Sequence, residues 1–363
     1  MRALRPSVKV KQRKARRPPQ DPSAHLSPLS LGIAVLALGA AMLVGVSIGP
    51  ADLPFSAVWR SLADHLPLVH LRTGLTPLDS AIIWQVRLPR VVLGGIVGSM
   101  LAGSGAAYQG VFRNPLADPY LLGVAAGGGL GATLAIIFRP EVTSLLPIAA
   151  FVGAAAAVGL TYLVGATVGH EASTMSILLA GIAVAALFTA VQTYLQQQHT
   201  PSLQAVYSWI LGDLTLADWA DVRLILPYVV LSGIILLSHR RMLDVLRVGE
   251  DEANSLGINA GRVRLVVVFA ATLGTAAVVS VSGLIGFVGI IVPHAVRLTT
   301  NASYRVVVPL SMIGGAAFLI SADILARTVQ SPAEVPIGVV TAFVGGPFFL
   351  FVLRSRRAQR SVL

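Results

Sequence analysis

Ten apolar stretches alternate with more polar connections along the 363-residue chain. Crossing a bilayer takes about 20 mostly apolar residues in a helix, which satisfies its own backbone polar groups. Stretches at 29–48, 91–112, 120–138, 145–168, 175–196, 222–238, 263–281, 284–298, 305–323 and 337–353 each predict such a span. The eighth is short and is broken by Pro293. The pattern predicts an all-α, polytopic membrane protein with about ten transmembrane helices. The second and third spans carry Gly94, Gly98, Gly103 and Gly105, then Gly123, Gly127 and Gly131. Small residues at such spacing let helix backbones approach closely. No soluble domain is predicted. The longest connections are 49–90, 199–221 and 239–262, and three parts result: a basic tail at 1–28, a ten-helix domain at 29–353 and a basic C-terminus at 354–363.

Composition supports a bilayer as the solvent. Only 12% of residues are charged, against about 25% in soluble domains, and the mean hydropathy is +0.77. The formal net charge of +11 is unevenly placed. Eight of the 27 basic residues precede position 18, and Arg354, Arg356, Arg357 and Arg360 close the chain. With both termini in the cytoplasm, 20 basic residues fall inside and 7 outside, the bias that orients membrane proteins. The basic residues flank apolar spans, so nucleic acid is not an expected partner, whereas membrane lipid is. The first apolar run, 31–48, exceeds the roughly 7–15 residues of a signal-peptide core and reads as a span. Trp59, Trp84, Trp209 and Trp219 all fall in predicted outer segments and suit the interface.

Chemistry is conspicuous by what is missing. The three lysines, Lys9, Lys11 and Lys14, lie in the tail, so no phosphate-cradling lysine follows a Gly-rich loop. The chain is not expected to be an enzyme or to hydrolyse ATP. There are no cysteines, no HExxH sequence and no nucleophile elbow, and no metal site or bound cofactor is expected. No carboxylate sits near the middle of a span, where ion coupling would use one, and Asp323 and Arg297 fall at span ends. Gln109 and Gln192 read as interhelical hydrogen-bonding groups. The driving force is therefore expected from a partner. The connection 239–262 predicts two short amphipathic helices hinged at Gly249 and ended at Gly257, with Asp251, Glu252 and Ala253 in a first turn. Ala253, Leu256 and Ile258 would lack burial unless a partner packs on them. The rival reading, a stand-alone secondary transporter or channel, needs buried carboxylates or a selectivity ring. A scaffold reading leaves this loop unexplained.

Several motifs carry a resemblance. They are Arg-Leu-Pro-Arg at 87–90, Gln-Gly-Val-Phe-Arg-Asn-Pro-Leu-Ala-Asp-Pro-Tyr-Leu-Leu-Gly at 109–123, Leu-Gly-Ile-Asn at 256–259, Gly-Phe-Val-Gly-Ile-Ile-Val-Pro-His at 286–294 and Glu-Val-Pro-Ile-Gly at 334–338. In this order the chain resembles FecCD permeases, the type II ABC importers for ferric siderophores, haem and cobalamin, from about residue 29 to 353. The resemblance implies a multi-pass cell-membrane subunit that works as a homodimer with its pathway on the twofold axis. Two ATP-binding-cassette ATPase subunits, which hold ATP and Mg, would dock inside, and an extracytoplasmic substrate-binding protein outside. It implies an ATPase coupling loop at Gly249, Glu252, Ala253, Leu256, Gly257, Ile258 and Asn259. It implies outer docking arginines Arg87, Arg90 and Arg327, suited to bidentate carboxylate recognition. It also implies a cytoplasmic gate of Asn114, Leu116, Ser173 and Thr174. The ligand, an iron chelate, haem or cobalamin, is not distinguished.

Overall fold

The computed structural model describes residues 25–49, 51, 53–64, 74–167, 174–249, 253 and 255–360. Among these, regular structure is helical. The helices are α1 (Pro28–Ser47), α2 (Phe55–Asp64), α3 (Pro77–Val111), α4 (Val124–Phe138), α5 (Leu145–Thr167), α6 (Thr174–Gln198), α7 (Leu203–Ile210), α8 (Trp219–Val248), α9 (Ala260–Ser282), α10 (Val288–Thr299), α11 (Tyr304–Thr328) and α12 (Ile337–Arg360). Every apolar stretch lands on one of them. Seven, namely α1, α3, α5, α6, α8, α9 and α11, are long and apolar enough to cross a membrane. Val124–Phe138, Val288–Thr299 and the apolar part of α12, Ile337–Val352, are shorter.

Boundaries depart from the hydropathy pattern for physical reasons. Helix α3 starts at Pro77, well before 91. The Thr76 hydroxyl accepts from the Asp79 backbone N–H at 3.2 Å, and the Asp79 carboxylate accepts from the Thr76 N–H at 3.1 Å. This reciprocal cap sits ahead of a proline at the first helical position. A π-helical turn, Ile82–Arg87, directly precedes Pro89, where a regular helix would meet the proline ring with a carbonyl one turn back. Helix α8 continues to Val248, so the first of the two short helices expected in 239–262 is the end of α8. Its Leu243 and Leu246 are buried in the core.

Two apolar stretches are only partly helical. Residues 112–123 form turns that end at Gly123, whose φ of +85° is left-handed. Residues 283–287 are irregular, closed by Gly283 at φ +66° and Phe287 at φ +69°. Irregular backbone at membrane depth needs partners inside the protein, and it has them. The Tyr120 hydroxyl donates to the Ile285 carbonyl and accepts from the Ile285 N–H, each at 3.1 Å. Asp213 N–H reaches the Ser282 carbonyl at 3.0 Å, and Gly338 N–H the Leu211 carbonyl at 3.0 Å.

Helix α3 is the axis of the bundle. Its Leu88–Val111 part is mostly buried and packs on α8, α9, α10 and α11. Its crossing with α11 is tight at Gly98 and Gly315. A Cβ on Gly98 would stand 2.2 Å from the Gly315 carbonyl oxygen. A second close pair joins α4 and α5, where a Cβ on Gly127 would stand 2.2 Å from the Gly153 carbonyl oxygen. Without a hydrophobic drive between helices in lipid, such close backbone contact supplies the packing energy. Helix α12 lies at the margin, against α10 and α11, with Phe343, Leu350 and Phe351 exposed.

Candidate functional site

The irregular segments and the marginal helix together build an open apolar trough of about 460 Å³. Its wall is Ile210 and Leu211 after α7, Leu284, Gly286 and Phe287 before α10, and Val339, Ala342, Phe343 and Pro347 of α12. No ionisable side chain lines it. Such a surface offers a passing molecule van der Waals contact and little directional hold. Among the described residues no three His, Asp or Glu side chains converge where a metal ion would sit.

At one end of the bundle lies a buried charge cluster. Arg87 is 3%, Arg90 7%, Asp323 2% and Arg327 2% exposed. Arg90 donates Nε to both Asp323 oxygens at 3.0 and 3.2 Å and Nη2 to Oδ1 at 2.8 Å. Its other edge meets Glu334, Nη1 to Oε1 at 3.0 Å and Nη2 to Oε2 at 2.7 Å. Arg327 lies one turn from Asp323, Nε to Oδ2 at 3.4 Å, and donates Nη2 to the Gly45 carbonyl at 2.8 Å. Arg87 donates to the carbonyls of Val46 at 3.1 Å, Ser47 at 2.9 Å and also Ala51. Two guanidiniums thus hold carbonyls at the C-terminus of α1, the negative end of its dipole. Arg87, Arg90 and Arg327, expected to dock a binding protein, each bond groups of their own chain in this geometry. Asp323 is likewise inside the bundle, flanked by two arginines, so it is neither at a bare helix end nor free to carry an ion. The more accessible carboxylate is Glu334, which also accepts from the Thr215 hydroxyl at 3.1 Å. Burial alone would raise its pKa, but the Arg90 hydrogen bonds and charge outweigh that and hold it below the usual glutamate value.

The other end of α3 carries the predicted gate and loop. Asn114 and Leu116 share a tight turn, where the Asn114 side-chain oxygen accepts from the Leu116 N–H at 3.0 Å, and Leu116 is exposed. Asp118 follows, its Oδ1 accepting from the Tyr120 N–H at 2.8 Å. Burial pushes its carboxyl up to about 6 against the pull of that hydrogen bond. Thr174 opens α6, whereas Ser173 lies outside the described residues. So do Asp251 and Glu252. Gly249 ends α8 in extended backbone. Beyond it Ala253 N–H bonds the Gly249 carbonyl, and Ile258 N–H returns to the Ala253 carbonyl at 3.0 Å, around Gly257 at φ +74°. That six-to-one bond around a left-handed glycine is a Schellman stop. Asn259 then caps α9 through the Arg262 N–H at 2.9 Å. Ala253 is fully buried by its own chain and Ile258 is half-buried, so Leu256, 68% exposed, is the apolar side chain left over. The interhelical reading of the glutamines fits the structure. Gln192 donates to Thr133 Oγ1 at 3.1 Å, and Gln109 to the carbonyls of Ala117 and Gly289 at 3.3 and 3.1 Å.

Three comparisons bear on this arrangement. The model of the FecCD transport family matches residues 36–355. The cobalamin import system permease protein of Halobacterium salinarum is 37% identical over 345 residues, covering 93% of each chain. The hemin transport system permease protein of Yersinia pestis is 35% identical over 350 residues, covering 94% of this chain and 98% of its own. A solved inward-facing conformation of a metal-chelate type ABC transporter superposes with a TM-score of 0.80 at 30% identity, covering 91% of this chain and all of that one. Matches of this extent establish that the chain belongs to the FecCD transport family.

Proposed function

We propose that this protein is the multi-pass permease subunit of an ABC importer in the cytoplasmic membrane, moving an iron chelate, haem or cobalamin. The apolar trough carries the reading. It is open on one side, free of ionisable groups, and shaped by broken helices, which suits a pathway for a bulky chelate completed by a second copy. The exposed apolar residues of α12 and of α6, including Leu179, Ile182 and Leu187, would then be covered by the partner. Both termini lie in the cytoplasm in this reading, as the basic residues imply. Two ATPase subunits, which bind ATP and Mg, engage the 249–259 loop, with Leu256 as the exposed contact. Asn114 and Leu116, with Ser173 and Thr174, close the pathway on that side. A substrate-binding protein docks at the opposite end. Its carboxylates reach Arg90 by displacing Glu334, the more exposed of the two partners Arg90 holds. The test is purification in detergent with the ATPase of the same transport system. Co-purification, and loss of uptake in Gly257→Trp, support the permease reading; no associated ATPase and unchanged uptake in Gly257→Trp overturn it. Growth rescue on haem, ferric siderophore or cobalamin, with the matching binding protein, assigns the ligand.

A further inference from the structure

One polar chain runs from the end of α8 to the turn that carries Asn114 and Leu116. It begins on α8, one turn before Gly249. The Asp244 carboxylate accepts from the Tyr304 backbone N–H at 2.7 Å and from the Ser303 hydroxyl at 2.6 Å, and pairs with Arg305 at 3.7 Å. Arg247, on the same turn, donates to the Ala302 carbonyl at 2.9 Å. The end of α8 therefore grips the start of α11. The buried Tyr304 ring packs against Gly110 of α3, where an added Cβ would stand 3.1 Å from it. The guanidinium of Arg297, on the last turn of α10, lies over that ring at 5.5 Å, a cation–π distance. Arg297 Nη1 donates to Gln109 Oε1 at 2.5 Å. The Gln109 amide nitrogen then donates to the carbonyl of Ala117, inside the 112–118 turn, and to that of Gly289 on α10. Gln109 is 1% exposed, so its three bonds have no water to replace them, and a displaced partner leaves a polar group stranded.

We propose that Arg297 and Gln109 are positioning residues that relay movement of the α8 end, at Asp244 and Arg247, to the 112–118 turn. The inference rests on the permease reading. Gln109 accepts from Arg297, whose guanidinium lies over the Tyr304 ring held by α8, and donates to Ala117 inside the 112–118 turn as well as back to α10 at Gly289. A change in the tilt of the α8 end moves Tyr304, which shifts Arg297, and Gln109 must then follow or lose its bonds. Linked elements of this kind carry coupling only if both arrangements are discrete, which a double-mutant comparison tests.

The experiment uses the assembled importer, with its ATPase and binding protein, in proteoliposomes, and reads substrate moved per ATP hydrolysed. Gln109→Met keeps the shape and removes every bond. Gln109→Glu keeps the acceptor for Arg297 and removes the donor to Ala117. Arg297→Lys keeps a donor toward Gln109. Substrate per ATP is expected to fall about tenfold in both Gln109 variants, within the usual range for site-to-site coupling. ATPase co-purification and basal hydrolysis stay at the wild-type level. Arg297→Lys keeps much of the ratio, and Gln109→Met combined with Arg297→Met loses no more than Gln109→Met alone. A ratio within twofold of wild type in both Gln109 variants overturns the relay while leaving the permease reading intact. Additive losses in the combined variant, or losses matched by a lower yield of assembled complex, also overturn it by assigning a packing role. A wild-type complex with no ATP-driven uptake removes the permease reading itself.

Discussion

Replacing Arg90 by leucine should destabilise the bundle by about 3 kcal/mol. Asp323 is 2% exposed and takes three of its short contacts from Arg90. Removing one partner of a buried ion pair typically costs ~3–5 kcal/mol, because the remaining charge keeps its desolvation penalty. Two features set this case near the lower end. Arg327 stays within 3.4 Å of Asp323, and Glu334 is exposed enough to recover water. The fork geometry matters as well as the charge, since Arg90 serves two carboxylates along two edges, so Arg90→Lys should lose about half as much. The assay is thermal unfolding in a mild detergent followed by tryptophan fluorescence. Trp84, whose carbonyl accepts from the Trp219 indole N–H at 2.9 Å, reports the same end of α3. A loss of this size corresponds to a fall in Tm of several degrees, roughly 3–6 °C. An Arg90→Leu protein that melts within 1 °C of wild type would refute a buried, mutually dependent cluster.

Other consequences are as specific. Gly98→Leu should prevent folding of the bundle or cost at least ~3 kcal/mol, because its Cβ meets a backbone carbonyl that cannot move aside. Gly94→Ala, facing the Leu214 side chain at 3.4 Å, should be tolerated, and folded yield on size-exclusion chromatography separates the two. Asp118→Asn keeps the bond to the Tyr120 N–H and removes a carboxyl whose folded-state pKa is raised to about 6. A raised carboxylate pKa favours the folded state below its unfolded value near 4, and that advantage is lost as pH rises through about 6. The wild-type Tm should therefore drop between pH 4 and 6 relative to Asp118→Asn, and parallel melting curves across that window would count against the assignment. Leu256→Asp should leave the permease folded while reducing the recovered ATPase by an order of magnitude or more, measured by quantitative pull-down, as expected for an exposed apolar anchor.

The helices were legible because hydropathy reports the bilayer directly, and each of the ten apolar stretches holds a helix, two of them only in part. Their ends were less so. Helix α8 continues past 238 through His239, Arg240 and Arg241, where apolar character stops but helical preference does not. Hydropathy therefore marked where the membrane ends, not where the helix ends. The break at 283–287 carries a glycine signal at its start, Gly283, but none at its end, where Phe287 adopts a left-handed conformation that glycine usually signals. At the Arg90 end the basic residues were visible in sequence, and even the four-residue spacing of Asp323 and Arg327 was there to read. What could not be read was that Arg90 meets Asp323 across 233 positions and Glu334 across 244. The same holds for Gln109 and Arg297, brought together across 188 positions by the packing of α10 on α3. Polar residues in spans announce a partner but do not name it.

The most direct test of the account is uptake into proteoliposomes containing this chain with the ATPase and binding protein of its own transport system. The account predicts accumulation of chelate, haem or cobalamin that requires ATP on the ATPase side and the loaded binding protein on the other. It also predicts that the chain alone, under any ion gradient, moves nothing. Uptake by the chain alone driven by a proton or sodium gradient, without the ATPase, would contradict it.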